Sequence, residues 1–125
     1  MEQHLSRQEE LSLVIANVRQ SIPELHSVMV ASVDGLAIAH DLNDSEAERI
    51  AAMAATALGL GERISERSTL GELAEAVIRG RNGYLVVYPA GDNAVLVLSG
   101  PSDSNLGLMR IEARAASARI GAVLG

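Results

Sequence analysis

A chain of 125 residues has room for one domain and no second core. Its lack of cysteine removes disulfides, thiolate nucleophiles and Cys-ligated zinc or iron–sulfur sites. A net charge of -6, with 16 acids against 10 basic residues that are all arginine, opposes the basic footprint that nucleic acid demands.

Met1 to Glu10 has neither a basic start nor an apolar run, and no stretch approaches the roughly 20 apolar residues of a membrane span. Both features predict a cytoplasmic protein without direct membrane insertion. The first element is a helix from about Ser6 to Ile22: Ser6 and Glu9 form a capping box, and Leu11, Ile15, Val18 and Ile22 recur at helical spacing. Pro23 stops it. His26 to Val33 and Leu36 to Asp41 are strand-like around Asp34-Gly35, a strong two-residue hairpin signal. Pairing Val33 with Leu36 sets Met29 opposite His40, Ala31 opposite Ile38, Val30 opposite Ala39 and Ser32 opposite Ala37. Both faces are then small or apolar, so both are expected to be covered.

Asp44 to Glu48 supplies cap and box residues for a long helix through about Arg67, in which Ala52, Ala55 and Gly59 make a stripe of small side chains. Gly59 and Gly61 each weaken a helix by about 1 kcal/mol against Ala. Their presence implies a close contact, either with the sheet or with another helix in a dimer. Glu72 to Arg79 is predicted as an edge strand because it carries Glu75 and Arg79. Tyr84 to Tyr88 and Ala94 to Ser99 are predicted as central strands because they lack charge. A last helix follows Gly100–Ser104, with Leu106, Met109, Ala113, Ala116, Ile120 and Val123 forming its apolar stripe. The order α-β-β-α-β-β-β-α, with short connections, predicts an α+β sandwich: a five-stranded antiparallel sheet between helices.

Catalytic chemistry is sparse. His4, His26 and His40 lack the helical i, i+4 pairing of a zinc motif, so no metal is expected. His40-Asp41 could orient an imidazole, but no Ser or Cys stands in a nucleophile-elbow context, and two residues ending a strand is the simpler reading. Gly59-Leu60-Gly61 lacks the third glycine of a dinucleotide fingerprint, and with no lysine there is no P-loop. Gly100 to Asn105 could offer free N–H groups to an anion, although capping by Asp103 or Ser104 explains the same residues. Glu46, Glu48, Glu62 and Glu66 sit beside Arg49, Arg63 and Arg67 at the spacing of a solvated helix face. No catalytic residue and no cofactor are predicted. With Tyr84 and Tyr88 as the only aromatic residues, a small-molecule cavity is disfavoured.

The ordered pattern resembles the Roadblock/dynein light-chain family. Leu25-His26-Ser27-Val28-Met29-Val30-Ala31-Ser32-Val33-Asp34-Gly35-Leu36 is similar to its first hairpin, with the Ala-rich helix following in its place. Gly83 to Tyr88 with Gly91 to Leu98 is similar to its last hairpin, and Asn105-Leu106-Gly107-Leu108 to the opening of its last helix. The resemblance spans about residues 8 to 124, within a single domain of residues 1–125. It implies that the long second helix lies on one face of the sheet, with the first and third helices on the other. It also implies a homodimer through the strand after the long helix, with Ala52, Ala55, Gly59, Leu73, Glu75, Val77 and Arg79 at the interface. The bacterial branch of the family, which includes gliding-motility regulators, further implies a Ras-like small GTPase docked on Arg49, Met53, Thr56, Leu60 and Arg63, and modulated without a catalytic side chain from the regulator. A light-chain-like adaptor and a small-molecule sensor with a profilin-like sheet are the alternatives.

Overall fold

The computed structural model describes residues 5–125. His4 lies outside them, as does part of the segment expected not to be a leader. Eight elements follow in the predicted order: α1 (Arg7–Ser21), β1 (Ser27–Ser32), β2 (Ala37–His40), α2 (Asp44–Arg67), β3 (Ala76–Gly80), β4 (Gly83–Ala90), β5 (Ala94–Pro101) and α3 (Leu106–Leu124). The strands form one antiparallel sheet in the order β2-β1-β5-β4-β3. Thus β3 is an edge, and β4 and β5 are central.

Strand periodicity divides the core into two layers. Val28 and Val30 of β1, Val86, Tyr88 and Ala90 of β4, and Ala94, Leu96 and Leu98 of β5 face α1 and α3. Met29, Ala31, Val87, Val95 and Val97 face α2, which meets them with Ala47, Ala51, Ala54 and Leu58. Small residues on α2 let that helix lie close to the sheet. The stripe expected on α3 is buried at Met109, Ala113, Ala116 and Ile120 and half-buried at Leu106 and Val123.

Several local expectations are corrected. The β1–β2 turn has a three-residue loop instead of two: Ser32 N–H donates to Leu36 O at 2.8 Å, and Gly35 N–H donates to Ser32 O at 3.0 Å. Gly35 has φ +88°, the left-handed conformation that lets such a loop close through a bulge. Met29 and Val30 do pair with His40 and Ala39, but the register then slips, so that Ala31 faces Ala37 instead of Ile38. Val33, freed from the ladder, donates its N–H to Asn93 O at 3.0 Å.

Helix α2 is capped by Asn43, whose side chain accepts from Glu46 N–H at 2.9 Å. Asp44 is already helical. Likewise Asn105, and not Asp103 or Ser104, caps α3 by accepting from Leu108 N–H at 3.0 Å. In both cases the cap is the last residue with extended backbone before the helix, one place later or earlier than composition suggested. The strand expected over Glu72 to Arg79 begins only at Ala76.

Candidate functional site: the outward face of α2 and the β3 edge

Helical spacing sorts α2 into sides about 100° apart per residue. Ala47, Ala51, Ala54, Leu58 and Ser65 are buried against the sheet and the following loop. Directly opposite stand Arg49, Met53, Thr56, Leu60 and Arg63, all exposed. Met53 is 63% and Leu60 57% exposed, a high value for residues whose transfer from water favours burial. Ile64, 54% exposed, extends the apolar strip along the flank nearer β3. A shallow dent lined by Ala52, Met53, Thr56 and Ala57 lies within this surface. Thr56 Oγ1 donates to Ala52 O at 2.9 Å, which satisfies its hydroxyl inside the helix.

The small-residue stripe divides between two surroundings. A Cβ on Gly35 would come within 3.2 Å of Ala52 Cα and 3.8 Å of Ala55 Cβ, so these alanines admit the hairpin tip. Gly59 has open space beside it, whereas a Cβ on Gly61 would meet Leu73 Cδ2 at 3.0 Å and Ala76 Cβ at 3.9 Å. Gly61 therefore marks the flank of α2 that overlooks β3. Ala52, Ala55 and Gly59 lie on the other flank, toward β1 and β2.

The edge residues also separate. Val77 (40%) and Ile78 (53%) are exposed and alternate between the two faces, opposite Val86 and Leu85 of β4. Arg79 is exposed, with its guanidinium 5.7 Å from the centre of the Tyr84 ring, within cation–π range. Leu73 is half-buried and packs under α2. Glu75 precedes the strand and turns inward. Its carboxylate accepts from Arg110 Nε at 3.0 and 2.9 Å and from Arg110 Nη2 at 2.7 Å. This charge-assisted pairing raises the Arg110 pKa above its ordinary value.

The other candidate chemistry is dispersed. His26 is exposed, and His40 Nδ1 accepts from Leu42 N–H at 3.1 Å. Asp41 does not orient His40: it is held by Arg19 and accepts from Val28 N–H at 3.1 Å. Among the described residues no group of three His, Asp or Glu side chains could hold a metal ion, and no helix is long and apolar enough to cross a membrane. In the Gly100 to Asn105 loop, Asn105 Oδ1 accepts from Leu108 N–H at 3.0 Å, and the Ser104 hydroxyl is buried without a hydrogen-bond partner.

Known proteins place this arrangement. The sequence model of the Roadblock/LC7 domain matches residues 13–99, from α1 through most of β5. The uncharacterized protein MJ1340 of Methanocaldococcus jannaschii is 38% identical over 96 residues, which cover 76% of this chain and 83% of that protein. The gliding protein MglB of Thermus thermophilus superposes with a TM-score of 0.84 at 17% identity, covering 97% of this chain and 93% of that one. A Roadblock/LC7 domain from Streptomyces avermitilis gives 0.84 at 21% identity over 90% and 95% of the two chains. At those identities the structural likeness is one of fold, and it agrees with the sequence match in extent and element order. The chain belongs to the Roadblock/LC7 domain family.

Proposed function

We propose that the chain is a non-catalytic regulator or scaffold which, as a cytoplasmic homodimer, docks a Ras-like small GTPase and modulates its nucleotide state, including by activating hydrolysis. The observation that carries this reading is the outward face of α2. Its sheet-facing side is fully used by Ala47, Ala51, Ala54 and Leu58, yet the opposite side presents Met53 and Leu60 between Arg49 and Arg63. Apolar anchors framed by arginines are the composition of a protein-binding patch. A regulator of this kind needs no nucleophile or base of its own, because it acts by selecting a conformation in which the GTPase aligns its own groups.

The open edge of β3 supports self-association, since its unpaired N–H and C=O groups can be satisfied by a second copy. In that dimer Val77 and Arg79 lie on the pairing strand and Leu73 supports it, while Glu75 remains with Arg110. The α2 flank brought near the twofold axis is the one carrying Gly61, with Leu60 and Ile64 beside it. Ala52, Ala55 and Gly59 then border the docking face.

The test is affinity capture from native lysate by the tagged full chain, split between GDP and a non-hydrolysable GTP analogue. A small GTPase enriched with the analogue is expected, and Met53→Ala with Leu60→Ala should lower its retention by about tenfold or more. Equal recovery in both arms makes the protein a nucleotide-blind adaptor. Retention unchanged by the two substitutions removes α2 as the docking face.

A further inference from the structure

On the side of the sheet away from α2, a cleft of about 350 Å³ opens between β4 and α3, lined by Ala74, Glu75, Tyr88, Pro89, Arg110, Arg114 and Ser117. We propose that this cleft is an oxyanion site, taking a small molecule that bears a carboxylate or phosphate group. Its polar inventory is one-sided. Tyr88 is 6% exposed, and its hydroxyl, like that of Ser117, is buried without a hydrogen-bond partner. Buried hydroxyls are rarely left so, because an unmade hydrogen bond there is costly. Arg110, Arg114 and Ser117 stand four and three residues apart on α3, so they share one helix flank.

Arg110 commits Nε and Nη2 to Glu75, which leaves Nη1 free of a protein partner among the described residues. Arg114 has neither an ion pair nor a hydrogen bond among them. The charged groups at the cleft are therefore Glu75, Arg110 and Arg114, a surplus of one positive charge in a chain whose net charge is -6. The one carboxylate is already occupied by Arg110. What remains is a set of donors: two hydroxyls, one free guanidinium fork and one further N–H₂ group. Burial first, then the charge of the Glu75 carboxylate and its pull on the hydroxyl proton, hold Tyr88 protonated; the hydroxyl stays beyond full hydrogen-bond distance of Glu75, whose oxygens are taken by Arg110.

An apolar ligand would leave these donors unpaired, and a cation would meet two guanidinium groups. An oxyanion satisfies both requirements, and Arg is suited to bind it through two parallel hydrogen bonds. The volume lies at the small end of ligand sites, about 300 to 1,000 Å³, which fits a compact metabolite. The site is on the opposite face from Met53 and Leu60, so it stands or falls independently of GTPase docking.

The experiment follows the Arg Nε–H signals of the full chain by NMR during titration with sodium succinate or sodium phosphate, using sodium chloride at matched ionic strength as the reference. Saturable shifts at Arg110 and Arg114 are expected with at least one oxyanion and not with chloride. Succinate alone would identify a carboxylate ligand, and phosphate alone a phosphorylated one. Arg114→Gln should weaken binding about tenfold or more and Ser117→Ala by less, while Arg119→Gln, outside the cleft, should leave it unchanged. Shifts that do not saturate, that chloride reproduces, or that survive Arg114→Gln would overturn the proposal.

Discussion

Tyr88 joins two roles in one side chain: its ring completes the layer beneath α3, and its hydroxyl stands at the base of the cleft between β4 and α3. Burial first, then the Glu75 carboxylate, pushes its pKa up from the ordinary 10.0. The folded protein keeps this proton after the unfolded chain has begun to release it, so stability falls as pH rises past that ordinary value. Urea midpoints compared at about pH 9 and about pH 11 should show this fall, and Tyr88→Phe should remove Tyr88's share of it. Gly59 offers a second test on a single residue. With open space where a Cβ would go, Gly59→Ala should stabilise the fold by about 0.5–1 kcal/mol in a denaturation series. Gly61→Ala should gain less, because Leu73 Cδ2 stands 3.0 Å from the new atom and must move. Composition exposes both glycines as helix-weakening but cannot tell them apart. The difference depends on Leu73, which a loop of several residues separates from α2. Glu75 is a similar case. A charge on an edge strand reads as solvent-facing or interfacial, and only the later arrival of Arg110 from α3 turns it inward.

Among the elements, the helices were the most legible, because their periodicities are local, although only the cap of α1 falls where composition suggested. The Ser6–Glu9 capping box is present as expected, with Glu9 N–H donating to Ser6 Oγ at 3.1 Å and Ser6 N–H to Glu9 Oε1 at 3.3 Å. The β1–β2 hairpin was legible in existence and in half its register. The slip at Ala31 arises because Gly35 closes a loop one residue longer than Asp34-Gly35 alone suggests. Nothing in the local sequence announced the clamp at the other end of this hairpin. There Arg19 of α1 donates to Asp41 through Nε at 3.0 Å and Nη2, and to the carbonyls of Leu25 and His26. Asp41 also accepts from Val28 N–H, so one ion pair ties α1 to both strands. Both side chains are about one-third exposed, which tempers the effect. Arg19→Ala should cost about 1–2 kcal/mol by chemical denaturation, with amide exchange quickening first at Val28.

At the scale of the whole molecule, a sheet covered by helices on both faces was legible because the strands are apolar on both sides, whereas the assignment of α2 to one face and of α1 and α3 to the other came from the family resemblance. The outward strip of α2 came from the family resemblance alone, which assigned Met53 and Leu60 by position; the structure leaves both side chains exposed. The cleft beside Tyr88 was not legible, since scarcity of aromatics argued against any cavity, and its donors come from β4 and α3 together. The sheet order adds a constraint of its own. Strand β1 pairs along its whole length with β5, Ser27 meeting Ser99 and Ser32 meeting Ala94, across a gap of some 70 residues. A fragment ending before Ala94 should therefore lack cooperative unfolding by circular dichroism, because β1 and β4 would each lose a neighbour. During translation, at about 5–20 residues per second, β1 would wait on the order of ten seconds for the strand that completes it. Nascent chains should consequently hold the apolar faces of β1 and α2 open through most of synthesis, a period in which chaperones rather than native contacts must keep them apart.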